Sequence, residues 1–228
     1  MQFNHAQREI VLKLVYYGPP LSGKTTNLQA IHERLGTKLT GHLTTLNTSD
    51  DRTLFFDLLP VILQDDAGFR IKLKLFTVPG QVIHAATRRV VLAGADGVAF
   101  IADSQVSENK ANNEYWHGMR HYLRESAIDP DVIPCVIQFN KRDLPDVRSD
   151  AELEEVRSRG REPMFKAVAI RGEGVVETLH GLLVATLDDL NHRYDFEAKF
   201  RVSANGLLTA LLAGQSLSPA AAVAGDRP

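Results

Sequence analysis

Gly18-Pro19-Pro20-Leu21-Ser22-Gly23-Lys24-Thr25 has the spacing G-x-x-x-x-G-K-[ST] of a phosphate-binding loop. Each residue type in it has its own physical task. Gly18 and Gly23 admit the backbone dihedrals of a tight turn wrapped around an anion. The amides along the loop, from Leu21 and Ser22 through Gly23 to Thr26, are then expected to face a β-phosphate. Lys24 puts a positive charge between the β- and γ-phosphates, and the Thr25 hydroxyl is placed to ligate Mg²⁺. The flanks supply the context this spacing needs. Residues 9–17 before it form a β-branched and aromatic run, and residues 26–35 after it carry apolar side chains at helical spacing. Strand, loop and helix therefore follow one another, with the helix N-terminus aimed at the anion.

Working outward, strand and helix patterns alternate to the end of the domain. This implies an α/β fold of the P-loop NTPase kind: about six strands in a mostly parallel sheet with one antiparallel edge strand, and helices on both faces. Residues 36–52 have loop composition, with Thr, Asn, Ser and Asp clustered. Residues 53–63 and 69–78 read as two strands joined by the turn 65–68, an antiparallel hairpin at the sheet edge. In the second of these, basic and apolar residues alternate, the mark of one wet face. Further strands are expected over 97–103, 132–139 and 165–170, and helices over 109–126, 151–159 and 175–190. The composition shifts near Asp195, so the chain divides into a domain over 1–193 and an extension over 194–228, a short apolar helix followed by a disordered end. Leu207, Leu208, Leu211 and Leu212 in the extension have the spacing of one helix face. Docking on the domain or on another protein, and a frayed tail, are both open readings of it.

Composition narrows the function classes. The chain has 228 residues, 44% of them hydrophobic, and a formal net charge of −2. That balance lacks the basic field that nucleic acid requires of its main partner. The single cysteine, Cys135, lies in an apolar run and reads as a buried core thiol in a reducing compartment. The first residues are polar, no apolar run reaches bilayer length, and no lipidation signal is present. A cytoplasmic protein without direct membrane insertion is expected. His5 and His84 stand outside any Cys or His cluster and read as surface residues.

Two further motifs turn the phosphate loop into a function. Asn140-Lys141-Arg142-Asp143 follows the run 136–139, and N-K-x-D at a strand end reads guanine. The Asp143 carboxylate accepts from both N1–H and the 2-amino group, a match adenine does not offer. Lys141 lays its methylenes over the purine, and Asn140 ties this loop to the phosphate loop. Thr77-Val78-Pro79-Gly80-Gln81 closes the third long strand. There Gly80 brings an amide to the γ-phosphate and Gln81 orients the attacking water.

With these three motifs in order, the chain resembles Ras-like small GTPases, and in its longer words the bacterial MglA subfamily: Val-Tyr-Tyr-Gly-Pro at 15–19, Asp-Arg-Thr-Leu-Phe-Phe-Asp at 51–57, Thr-Val-Pro-Gly-Gln at 77–81, Ala-Asp-Ser-Gln at 102–105 and Asn-Lys-Arg-Asp-Leu-Pro at 140–145. The resemblance spans about residues 8–192. It implies a small GTPase domain, with GTP, GDP and Mg²⁺ as cofactors, acting as a slow GTPase that regulates cell polarity or gliding motility and is recruited to a cell pole. It also implies a Roadblock-fold GTPase-activating partner of the MglB kind, and downstream effectors on the switch loops. By the same resemblance Thr53 joins Thr25 on Mg²⁺ in the triphosphate state, Arg52 is an in-chain finger on the transition-state charge, and Val168 and Ala169 form the last base-contacting segment. Two departures from the Ras-like pattern stand out. Thr77 occupies the position where most Ras-like proteins hold an Asp that helps retain Mg²⁺ through water, which implies weaker metal retention. Pro20 stands where Gly is common, donates no N–H, and implies slow intrinsic turnover.

Two other classes remain on the residues alone. One is a P-loop kinase or ATPase, against which the guanine motif argues. The other is a nucleotide-holding scaffold with little or no hydrolysis, against which Gln81 and Arg52 argue.

Overall fold

The computed structural model describes residues 1–4, 8–47, 55–64, 69–78, 85–200 and 204–213. The described strands are β1 (Gln2–Asn4), β2 (Glu9–Tyr17), β3 (Thr44–Asn47), β4 (Phe55–Gln64), β5 (Arg70–Thr77), β6 (Gly97–Asp103), β7 (Cys135–Asn140) and β8 (Met164–Lys166). They form one sheet in the order β3-β4-β5-β2-β6-β7-β8, with β1 beside β2. The run from β5 through β2, β6 and β7 to β8 is parallel. β3, β4 and β1 pair antiparallel.

The register explains why the sheet holds. Ile10 of β2 sits beside Ile71 of β5, which sits beside Leu63 of β4. Leu12, Leu73 and Val61 make a second such row, and Leu14, Leu75 and Leu59 a third. All nine are buried. A slip of one residue would turn an entire row to solvent, so burial pins the register. Over this face lie α1 (Lys24–Leu39), α5 (Val175–Tyr194) and α7 (Ala204–Ala213). The opposite face buries Val15, Tyr17, Val98 and Phe100 against α2 (Ala85–Leu92) and α3 (Asn109–Glu125). β6, flanked by parallel strands and covered on both faces, is buried at every residue, which is why its sequence is a continuous apolar run rather than an alternating one.

The mostly parallel sheet with helices on both faces is as the sequence implies, and the differences are local. The sheet has two short strands beyond about six. β3 lies inside the stretch whose composition reads as loop; four residues are too few for an alternation to register, and β4 supplies its pairing. β1 exists because β6 meets β2 only from Leu14 onward, leaving the edge at Glu9–Val11 for another strand. The last strand is shorter than the apolar run at 165–170 suggests. It ends at Lys166, and Ala169–Arg171 form a 3-10 turn. α2 is absent from the sequence reading, and α4 (Asp150–Arg159) starts with a Ser149–Glu152 capping box. The turn at 65–68 and His5 and His84 lie outside the described residues.

Residues 196–200 and 204–213 pack onto the rest of the fold. α6 (Phe196–Phe200) brings Phe196 and Phe200 into an aromatic cluster with Phe3 and Phe69, the ring centroids of Phe3 and Phe200 being 4.5 Å apart. Leu207 and Leu211 of α7, one turn apart, are fully buried in the core while Leu212 remains exposed. Leu207→Ala removes a filled core position, so it is expected to lower the unfolding free energy by about 2–5 kcal/mol. Urea denaturation of the full chain checks this, and an unchanged midpoint would show that α7 adds nothing to the fold.

Candidate functional site

The site lies where β2 hands over to α1 and where β7 ends, at the C-terminal edge of the parallel strands. In open α/β sheets that edge is where ligands bind. Two adjoining clefts share Leu21, Gly23 and Thr26. The larger, about 430 Å³, is lined also by Lys24, Thr25, Asp57 and Thr77. The smaller, about 230 Å³, is lined also by Asn140, Lys141, Asp143 and Ala169. Phosphate-type residues thus gather at one end and base-type residues at the other.

In the phosphate loop two glycines are sterically required. A Cβ on Gly18 would sit 2.2 Å from the Ile101 carbonyl oxygen. Gly23 has φ +96°, and a Cβ there would sit 2.2 Å from Asn140 Nδ2. Leu21 is also left-handed, at φ +60°, and is 88% exposed between the two clefts. A non-glycine residue in that conformation costs on the order of 1–2 kcal/mol. Lys24 folds back over the loop and donates to the carbonyls of Gly18 and Pro19 at 2.9 and 2.6 Å. Burial depresses its pKa to about 7, helped by the positive charge of Arg88 and opposed by Asp57. An ammonium so poorly solvated gains strongly from an incoming anion.

Asp57 is the residue that sequence reasoning passed over. Its buried carboxylate accepts from Thr25 Oγ1 at 2.6 Å and from Thr77 Oγ1 at 2.9 Å on Oδ2, and from Thr45 Oγ1 at 2.8 Å on Oδ1. Its own N–H donates to Thr77 Oγ1. The carboxylate implied to be missing at Thr77 is therefore present, supplied by the neighbouring antiparallel strand. Leu58 pairs with Phe76, which brings Asp57 alongside Thr77. The signal available in the sequence was an acidic residue in an otherwise apolar strand, as a buried carboxylate needs a reason to be there.

At the other end, Asn140 Nδ2 donates to the Ser22 carbonyl at 2.8 Å and its Oδ1 accepts from the Ala169 N–H at 2.9 Å. It ties the 140–143 loop to the 18–25 loop, as the motif suggests. Val168 is buried and does not line the cleft, and its N–H donates to the Glu173 carbonyl. Lys141 has φ +63°, and its ammonium is held 2.6 Å from buried Asp103 at the end of β6. Asp103 belongs to the 102–105 word but was given no role. It keeps the lysine stem extended along the cleft instead of in solvent. Below, Asn27 of α1, Gln138 of β7 and Thr178 of α5 form a buried hydrogen-bonded chain linking both halves of the site.

On the far side of Lys24, Arg88 of α2 is buried, its guanidinium 5.0 Å from the Tyr115 ring and donating to the Tyr115 hydroxyl at 3.2 Å. Arg52, Thr53, Gly80 and Gln81 lie outside the described residues.

No family model matches the chain. Over 187 residues it is 45% identical to the mutual gliding-motility protein MglA of Myxococcus xanthus (strain DK1622), a match that covers 82% of this chain and 96% of that protein. It is also 26% identical over 166 residues to the tRNA modification GTPase MnmE of Proteus mirabilis (strain HI4320). That match covers 72% of this chain and 33% of the relative.

Proposed function

Because the chain belongs to the MglA family of Ras-like small GTPases, we propose that it works as a GTP/GDP switch whose nucleotide spans both clefts, phosphates on Lys24 and base on Asp143. The observation that carries this reading is the shared border at Leu21, Gly23 and Thr26, which makes one trough of a phosphate cradle and a guanine-type edge. Gly18, Ser22, Gly23, Lys24, Thr25 and Thr26 hold the phosphates. Asn140, Lys141, Asp143 and Ala169 hold the base, and Val168 supports them from beneath.

The donor set around Thr25 suits Mg²⁺. A hard dication that keeps several waters needs one or two protein oxygens beside the phosphates. The Thr25 hydroxyl and the Asp57 carboxylate are adjacent oxygens of that type. Thr25 and Thr53 would hold the ion directly, and Asp57 would hold its waters. When bound, the ion supplies charge neutralisation on the β- and γ-phosphates. The chain's own residues do the rest. Lys24 stabilises charge on the transferring group, Gln81 orients the attacking water, Gly80 donates an amide to the γ-phosphate, and Arg52 offsets transition-state charge.

Loss of the γ-phosphate removes what Thr53 and Gly80 hold, and a partner senses that change. A Roadblock-fold activating protein of the MglB kind fits this role, with effectors reading the same loops. The name of the Myxococcus relative supports a part in gliding motility, and regulation of cell polarity is the wider form of the same proposal. No helix among the described residues is long and apolar enough to cross a membrane. A cytoplasmic location with recruitment to a cell pole belongs to this proposal. The division into a GTPase domain over 1–193 and an extension over 194–228 is part of the same proposal, with α7 a packed addition to it.

The direct test is phosphate release from GTP and from ATP, with and without the Roadblock partner. GTP-only release that the partner accelerates supports the switch; ATP use points to a different enzyme, and no release to a scaffold. In the same assay Gln81→Leu should keep GTP affinity and lower partner-stimulated release at least about tenfold. Undiminished stimulation would remove Gln81 from the mechanism.

A further inference from the structure

Asp143, the carboxylate that reads the base, already has a cation beside it. Arg171 Nη2 lies 3.5 Å from Asp143 Oδ2, and Arg171 Nη1 lies 3.9 Å from Glu173 Oε1. The backbone beneath it is pinned. The Arg171 carbonyl accepts from Arg34 Nη2 at 2.7 Å, and Gly172 packs against Arg34 so closely that a Cβ would meet its Nε at 2.5 Å. The Arg171 side chain, by contrast, is 58% exposed and lies between two carboxylates. The neighbouring Arg142 is committed elsewhere, to the Arg148 carbonyl and to Asp150.

The contact is an ion pair in which one guanidinium nitrogen faces each carboxylate. A guanidinium presents parallel N–H donors on an N–C–N frame, and a carboxylate accepts two of them at once. The guanine edge formed by N1–H and the 2-amino group has that same frame. We propose that Arg171 is an internal competitor of the guanine base: it occupies Asp143 in the empty site and hands over to Glu173 when guanine enters. This rests on the reading of Asp143 as the base acceptor. It goes beyond that reading by giving Arg171 and Glu173 a regulatory part in nucleotide affinity. Removing the competitor leaves a carboxylate that the base need not win. Removing Glu173 takes away the landing place and strengthens the competitor.

The sign of the effect separates this from general electrostatics. A cation near a polyphosphate ligand attracts it, so on Coulomb grounds alone deleting Arg171 weakens binding. Competition predicts the reverse. A half-exposed ion pair is a modest competitor, so the expected changes are a few-fold.

Equilibrium titration of the full chain with fluorescent GDP is the test. Arg171→Ala and Arg171→Gln should each tighten binding about two- to five-fold at low salt, with Arg171→Lys in between because it keeps charge but loses the fork. Glu173→Gln should weaken binding by a similar factor, and all contrasts should shrink in high salt. In an Asp143→Asn background, titrated with xanthosine diphosphate, Arg171→Ala should no longer tighten binding, because no carboxylate remains to compete for. Unchanged or weaker GDP binding in both Arg171 variants overturns the proposal, as does tightening that survives in the Asp143→Asn background. If the wild-type chain binds GDP normally while these contrasts fail, only the competitor is lost. If the wild-type chain binds no GDP, the guanine reading of Asp143 is lost with it.

Discussion

Asp143→Asn is expected to weaken GDP and GTP binding by ~10⁴-fold and to bring in xanthosine nucleotides in their place. A site built around hydrogen bonds to the ligand rejects one that cannot make them by about 10⁴–10⁵, because its buried polar groups are left unpaired. Asparagine keeps the shape of the side chain but presents an N–H where the guanine 2-amino group also donates. Xanthine carries a carbonyl at position 2, which accepts that N–H. The residues around the carboxylate do not depend on its charge for packing: Asn140 is held by Ser22 and Ala169, and Lys141 by Asp103. The variant should therefore keep its melting temperature. Competition between GDP and xanthosine diphosphate for a fluorescent nucleotide measures the switch. Retained preference for GDP would mean that Asp143 is not the base acceptor.

Asp57→Asn should abolish the magnesium dependence of nucleotide retention. In the wild-type chain, chelating Mg²⁺ is expected to speed GDP release, since Thr25 and Asp57 would hold the ion and it would supply charge neutralisation on the phosphates. In the variant, release should be fast with or without chelator. The Asp57 carboxylate draws three threonine hydroxyls toward one point, and Thr25 is among them. A neutral amide offers only one acceptor oxygen for those three donors. Thr77→Val is the informative control. It removes one donor and no negative charge, so a metal role for Asp57 predicts that magnesium dependence survives there. Chelator sensitivity in Asp57→Asn equal to wild type would show that the carboxylate serves packing alone.

The two halves of the site were unequally legible. Residues 18–25 and 140–143 carry their chemistry in consecutive positions, because a loop that wraps a phosphate and a turn that faces a base are local objects. Gly18 and Gly23 admit no Cβ without a clash, and Asn140 bridges the two loops. Asp57 was hidden because its role depends on a partner 20 residues away, Thr77, reached only across a hairpin. Arg88 was hidden for a similar reason. Its charge acts at Lys24 only because α2 folds back over β2 and packs on α3. Arg171 belongs to no local motif, and the 3-10 turn at Ala169–Arg171 brings it to Asp143.

Order along the chain was enough to establish the strand–loop–helix start and the parallel α/β architecture, and to put the N-K-x-D word at the end of a strand. Backbone sterics, side-chain periodicity and short motifs act between near neighbours, and near neighbours are what a sequence records. Folding alone settled which carboxylate stands beside Thr25, which cation stands beside Asp143, and that Leu207 and Leu211 face inward on the core. Those outcomes follow from strand register and helix docking, where many weak apolar contacts between distant segments choose one arrangement together and no single residue announces it.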